Sequence, residues 1–307
     1  MTTPILIEIA VGDPSAADGT GAVSLVDAVR IAAAAEASGV TALRLLDAGT
    51  DAAILDASVV AAHLAGRTDD LGYLVDVPTT HHAPYNVARR ILSFDRAAGG
   101  RAGVVLRPGT GDEVSDAAVP DASASDPGER WAEYARIVTR LWESFPREAL
   151  LGDQEAAIVA DDTLIRPIAH VGRFYRVAGP LDGPSSVQGR PVLVAAPDGA
   201  VDWATIATSA DVVVVDGDHV AGADAALTAA LDQAGRRRDE VALVGRRVPG
   251  DDLVTWAGDH RLDAAALRPT GGIDDVLRVI EALAPLLDGR DATLRGRLGL
   301  GAPVAVA

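Results

Sequence analysis

The 307-residue chain contains no cysteine and no lysine. The first absence rules out disulfides, thiolate metal sites and thiol nucleophiles. The second removes Schiff-base chemistry and the lysine of a phosphate-binding P-loop, and it leaves arginine as the one permanent side-chain cation. Positive charge is short as well: the formal net charge is −17, so nucleic acid and anionic membrane surfaces would be repelled over most of the molecule. No apolar run approaches the length of a membrane span. The N-terminal MTTPILIEIA has neither a basic region nor a long apolar stretch, and a cytoplasmic protein is expected. No serine sits in a G-x-S-x-G elbow, and the first turn, VGDPSAADGTGAVS, holds no G-x-G-x-x-G.

What is present has ordinary globular composition and a repeating rhythm. Short β-branched runs alternate with Ala/Leu-rich segments of helical period. The runs at 5–11, 41–47, 71–77, 102–108, 191–196, 211–217, 241–248 and 264–270 read as strands. The segments at 24–38, 56–66, 84–98, 128–145, 201–209, 222–235, 251–260 and 273–288 read as helices. Ser24 is placed to cap the first helix and Gly39 to stop it, and Pro84 stands where a first-turn proline belongs. Eight strand-then-helix units predict an α/β fold, a (β/α)8 TIM barrel forming one domain over residues 1–307. A doubly wound open sheet is the alternative. Two stretches break the rhythm. Residues 108–128 form an acidic, small-residue loop. The segment between the fourth helix and fifth strand includes pieces around HVGR that alternate like a hairpin.

Barrel chemistry sits at the C-terminal ends of the strands. That selects Asp47, Thr79, Thr80, His81, His82, Arg107, Asp198, Asp216, Asp218, His219, Arg246 and Thr270. A metal could be imagined among His81, His82, Asp216 and His219, but adjacent histidines diverge and no H-x-H follows strand one, so none is expected. His82 reads as capping or packing on the next helix. Asp47 needs a donor or a cation, either an arginine or a ligand's N–H groups. The RPTGG stretch at 268–272 is a weak phosphate-cradle pattern and also a common loop.

Three collinear segments resemble one family. TTHHAPYNVARRILSFDRAAGGRAG at 79–103, HVGRFYRVAGPLDGPSSVQGRPVLVAA at 170–196 and GGIDDVLRVIEALAPLLDGRDATLRGRLGL at 271–300 are similar to the signature of the bacterial-luciferase-like flavin monooxygenases. The resemblance is to the branch containing nitrilotriacetate, alkane and dibenzothiophene-sulfone monooxygenases. It implies a (β/α)8 barrel that takes reduced FMN from a separate flavin reductase and oxygenates a small organic or organosulfur substrate, as a homodimer. It carries cofactor-binding positions to Asp47 at the edge of the flavin ring, to Thr79 and Thr80 beneath it, and to Trp131, Ala196 and Asp198 around the phosphate.

The sequence departs from the family's pattern where flavin would be held. GVVLRPGTG stands in place of the W-N-V-V-T-S-type run, Trp131 in place of a tyrosine, and AAPDGA in place of the Q-A-G-x-S phosphate loop. Asp198 sets a negative charge against a dianionic phosphate, at a cost on the order of a kcal/mol or more. The insertion after strand seven is reduced to VPGDD. Two readings follow: an FMN-dependent monooxygenase, or a luciferase-like barrel that has lost flavin and serves as a non-catalytic subunit or binding protein.

Overall fold

A computed structural model describes residues 3–15, 21–47, 54–109, 126–250, 252–283 and 293–303. The strands are β1 (Ile5–Ile9), β2 (Ala42–Leu45), β3 (Gly72–Pro78), β4 (Ala102–Arg107), β5 (Leu150–Asp153), β6 (Ile158–Ala160), β7 (His170–Val171), β8 (Arg176–Val177), β9 (Val192–Ala195), β10 (Val212–Asp216), β11 (Ala242–Arg247) and β12 (Ala264–Leu267). The helices are α1 (Leu25–Ser38), α2 (Ala57–Ala65), α3 (Pro84–Ala97), α4 (Pro127–Glu143), α5 (Trp203–Ala207), α6 (Ala223–Gln233), α7 (Leu253–Asp259), α8 (Gly272–Leu283) and α9 (Leu294–Arg297). Eight parallel strands close in the order β1-β2-β3-β4-β9-β10-β11-β12, with α1 to α8 between and after them. The expected (β/α)8 barrel is therefore the fold, and all eight expected strands and helices are found within a few residues of their anticipated bounds. The acidic loop falls outside the described residues from 110 to 125, as does the expected end of the last helix from 284.

Period-two alternation places these strands. Their odd-phase side chains on the N-terminal half, such as Ile5, Ile7, Leu43, Tyr73 and Val75, are buried against the helices. The even phase points into the barrel, where Leu6, Ala42, Leu74, Val192, Val194, Val212, Val214, Val244 and Ala266 form the interior cluster. Burial on both faces is why the strands read as continuous apolar runs. Gly103 is required in this interior, because a Cβ there would lie 2.7 Å from both Leu74 Cδ2 and the Val192 carbonyl oxygen. The helix ends obey the local rules. Ser24 Oγ accepts from the Asp27 N–H, and Gly39 ends α1 at φ 81°. Pro84 occupies the first turn of α3.

The barrel floor is sealed by the chain's last described segment. Leu294, Leu298 and Leu300 join the interior cluster. Arg295 reaches Asp211 at 2.9 Å, and Asp211 also takes Arg190 at 3.1 Å, while Arg190 holds Glu143 at 2.5 Å. Burial opposes the charge on Asp211, but Arg190 and Arg295 outweigh it and hold the carboxyl below its ordinary range.

Between α4 and β9 the chain forms two antiparallel hairpins, β5–β6 and β7–β8. The second is the one expected around HVGR; the first carries no clear alternation in the sequence. The second is bolted to α4 by Glu133, whose carboxylate accepts from the N–H groups of Arg173, Phe174 and Tyr175 at 3.0, 3.0 and 2.8 Å and contacts His170 Nε2 at 3.0 Å. Tyr175 then donates to the Thr79 carbonyl at 3.1 Å, so the excursion buttresses the end of β3.

Candidate functional site

Followed upward, the inward phase of the strands changes character at the C-terminal end. Beyond the apolar layer the next inward positions are Glu8, Arg44, Asp76, Arg107, Ala196, Asp216, Arg246 and Arg268, so at seven of the eight strands that position is charged. Their shared phase makes them neighbours. Arg44 is buried at the centre of this group: its Nη1 donates to Glu8 Oε1 at 2.7 Å, and its Nε and Nη2 donate to the two oxygens of Asp76 at 2.7 and 3.2 Å. Burial opposes the charge on Arg44, but Asp76 and Glu8 outweigh it and keep the guanidinium above its ordinary pKa. Arg107 continues the chain of charges, with Nε 3.3 Å from Asp76 Oδ2 and Nη2 donating to the Asp47 carbonyl at 2.7 Å. Arg246 closes it from the other side, 2.8 Å from Asp216 Oδ1 and 3.8 Å from Glu8 Oε2.

Above this layer lies a cavity of about 220 Å³ lined by Arg44, Asp47, Asp76, Arg107, Ala196, Asp198, Arg246 and Arg268 together with Leu46, Val105, Leu106 and Pro108. Of the positions expected to hold a cofactor, Asp47, Ala196 and Asp198 meet here. Thr79 and Thr80 are buried away from it, where they support the loop after β4. Gly109 donates to Thr79 Oγ1 at 3.2 Å, and it packs so tightly on Thr80 that an added Cβ would lie 2.1 Å from Thr80 Oγ1. Trp131 is also fully buried, its indole N–H given to the Leu106 carbonyl at 3.0 Å.

Two loops that could cradle a phosphate each give two backbone donors to a carboxylate of their own. After β9, Asp198 Oδ1 accepts from Ala200 N and Val201 N at 3.1 and 3.2 Å. After β12, Asp275 Oδ2 accepts from Thr270 N and Gly271 N at 3.1 and 3.0 Å. The Gly271 N–H is the main cause of a lowered Asp275 pKa. The RPTGG pattern thus receives an anion, but it is the chain's own carboxylate.

The histidines take separate places. His81 is exposed and adopts φ 63°, while half-buried His82 has its carbonyl held by Tyr134 Oη at 3.0 Å. Of the two roles expected for His82, capping or packing on the next helix, the cap does not form: Ala83 is at the cap position and no side-chain cap hydrogen bond is made there. Burial, then Arg90, presses the His82 imidazole below its ordinary pKa. Asp218 and His219 lie in an exposed turn. Among the described residues no three His, Asp or Glu side chains gather as a metal site. Glu8, Arg44 and Asp76 were not among the residues selected from the sequence. Their signal was present as charged residues in the inward phase of apolar strands, legible once that phase is assigned.

Comparison with known proteins agrees with this architecture. The family model for luciferase-like monooxygenases matches residues 7–271. One of the subunits of pristinamycin IIA synthase, from Streptomyces pristinaespiralis, is 31% identical over 305 residues, 99% of this chain and 97% of that one. Dibenzothiophene-sulfone monooxygenase of Rhodococcus erythropolis is 32% identical over 139 residues, covering 45% of this chain but 31% of that longer protein. Among solved structures, a riboflavin lyase determined with modified FMN and riboflavin superposes with a TM-score of 0.82 at 19% identity, covering 97% of this chain and 96% of that chain. The chain belongs to the luciferase-like monooxygenase family.

Proposed function

We propose that this chain serves a luciferase-like, reduced-FMN-dependent oxygenation of a small organic substrate as an accessory subunit. In this reading the FMN, supplied by a separate reductase, is held by a second luciferase-like barrel and not by this one. The observation that carries the reading is the state of the two phosphate-cradle loops. Two N–H groups in each are already engaged, by Asp198 and Asp275, so a dianionic phosphate brought there meets a carboxylate where it would need those donors. The barrel mouth adds to it: a charged cavity of about 220 Å³ is small and polar beside the roughly 300–1,000 Å³, mostly apolar pockets that bury larger ligands. The residues present do not fit FMN. The full-length similarity to a protein named as one of a synthase's subunits supports the same division of labour.

The second reading, a self-sufficient flavin-binding subunit, is favoured by Asp47, Ala196 and Asp198 sharing one cavity at the catalytic end of the barrel. Titration decides between the two. The purified chain is expected to show no saturable binding of FMN or of anaerobically reduced FMN up to tens of micromolar. In the Asp198→Ser variant, which removes the carboxylate, FMN affinity is expected to rise at least severalfold. Tight binding of reduced FMN by the unaltered chain would sink the accessory reading.

A further inference from the structure

We infer that the β5–β6 hairpin is a docking arm for another protein, one that offers an extended apolar strand flanked by arginine or lysine. Identifying that protein as the flavin-holding barrel rests on the accessory reading; the docking chemistry does not.

The arm stands clear of the barrel. Its foot is fixed where Asp161 N donates to the Ala149 carbonyl and Arg166 N to the Ser144 carbonyl, at 2.8 and 2.9 Å. Beyond that foot every residue from 150 to 159 is exposed. Even so, the arm is apolar. Of the twelve large apolar side chains exposed among the described residues, five fall within 150–164: Leu150, Leu151, Ile158, Val159 and Leu164, each 38–71% exposed. Leu150 pairs with Ala160, so period-two alternation sets Leu150 and Ile158 on one face and Leu151 and Val159 on the other. Neither face is covered by the rest of the chain, and a two-stranded hairpin of this length is marginal in water by itself. Apolar side chains concentrated on both faces of a projecting hairpin mark a surface that another protein covers.

One edge of the arm is open. β5 is bulged, with a register shift between Leu150 and Asp153 and Gly152 at φ 60°, which bends that edge away. β6 carries no charge or proline from Ala156 to Ala160, and it pairs with β5 alone. The Asp161 N–H turns toward β5, so alternation turns the N–H and C=O groups of Ala160 and Ile158 outward, as a template for an added strand.

Charge decides the occupant. Residues 148–165 hold five carboxylates, Glu148, Asp153, Glu155, Asp161 and Asp162, and no cation. A second copy of this chain would bring five more to the same place, and an anionic lipid surface would be repelled as well. A strand with apolar side chains at alternate positions and arginine or lysine at its ends meets the open edge, the apolar faces and the acidic rim together.

Two synthetic peptides serve as probes, each alternating valine and threonine, one with arginine at both ends and the other with glutamate. They are titrated into the isotope-labelled intact chain and followed by its amide chemical shifts. The arginine peptide should shift the amides of residues 156–162 saturably at about a millimolar or below, and the glutamate peptide should bind at least fivefold more weakly. Val159→Arg should weaken the arginine peptide at least fivefold; the side chain is 71% exposed, so the variant keeps the fold. Val171→Arg, on the β7–β8 hairpin, should leave binding unchanged. Absence of saturable shifts at 156–162, equal binding of the two peptides, or unchanged binding by Val159→Arg would each overturn the inference. So would sedimentation showing that the intact chain dimerises and that Val159→Arg abolishes the dimer, because the occupant is then a second copy. FMN titrated into the same samples separates the two proposals: FMN binding removes only the accessory reading, and failure of the arginine peptide to bind removes only the docking arm.

Discussion

Among single residues, the most consequential group away from the mouth is Asp95 on α3. It is buried to 0% exposure, its Oδ1 accepting from Ala102 N at 2.9 Å and Gln188 Nε2 at 2.7 Å. Burial pushes its carboxyl up to about 6, past the help it receives from neighbouring donors. Because the folded state prefers the protonated form, this site favours folding below the ordinary carboxylate pKa. That contribution is lost as the pH rises from about 4 to about 6, by on the order of 3 kcal/mol. Asparagine keeps the Oδ1 acceptor and carries no charge. Urea denaturation at several pH values should show Asp95→Asn progressively more stable relative to the parent between pH 4 and 6, with the difference constant above 7. A difference independent of pH would refute the assignment. In the linear chain Asp95 stands only as one residue of the family-like segment 79–103; the contact that buries it comes from Gln188, in a distant segment.

Among the elements, the β7–β8 hairpin shows how a short two-residue strand pair survives. Such a hairpin is marginal alone, and Glu133 supplies what it lacks by accepting three successive backbone N–H groups from the turn. Glu133→Gln replaces one acceptor oxygen with a donor that faces those N–H groups, leaving at least one without a partner at a cost of about 1–3 kcal/mol. Hydrogen exchange at residues 173–175 should accelerate tenfold or more while β3 and β4 keep their protection. Uniform acceleration across the barrel would mean that Glu133 supports the whole fold and not this element. Because Tyr175 braces Thr79, the hairpin is also one support of the mouth. The alternation around HVGR announced the hairpin, but nothing local announced that its turn would need a carboxylate from α4.

Taken as a whole, the barrel is closed by two different kinds of chemistry. Its floor is an aliphatic plug tied down by Arg295 and Asp211, and its mouth is a layer of paired charges. Arg44 links β1, β2 and β3 in that layer. Arg44→Leu removes the buried cation that bonds both Glu8 and Asp76, leaving them only the longer approaches of Arg246 and Arg107, and breaking a buried pair in this way typically costs about 3–5 kcal/mol. The expected result is a loss of that size in urea denaturation. Neutralising all three positions together, as Glu8→Gln, Arg44→Leu and Asp76→Asn, should lose less than the single change. If the single variant proves the more stable of the two, the layer is not the closed ionic unit described.

The barrel, the order of its eight units and the family are all legible in the linear chain, because each rests on short-range information: period-two runs, helical period, caps, and collinear motifs. The change at the phosphate-loop positions is legible there too. What took the place of those loops' usual contacts is a matter of packing in three dimensions. Glu8, Arg44, Asp76 and Arg246 come from four separate strands, and closure of the sheet alone makes them partners. Whether Asp198 and Asp275 repel a ligand or satisfy their own loops depends on turn geometry of a few tenths of an ångström. Composition does not encode that geometry, and the fold fixes it.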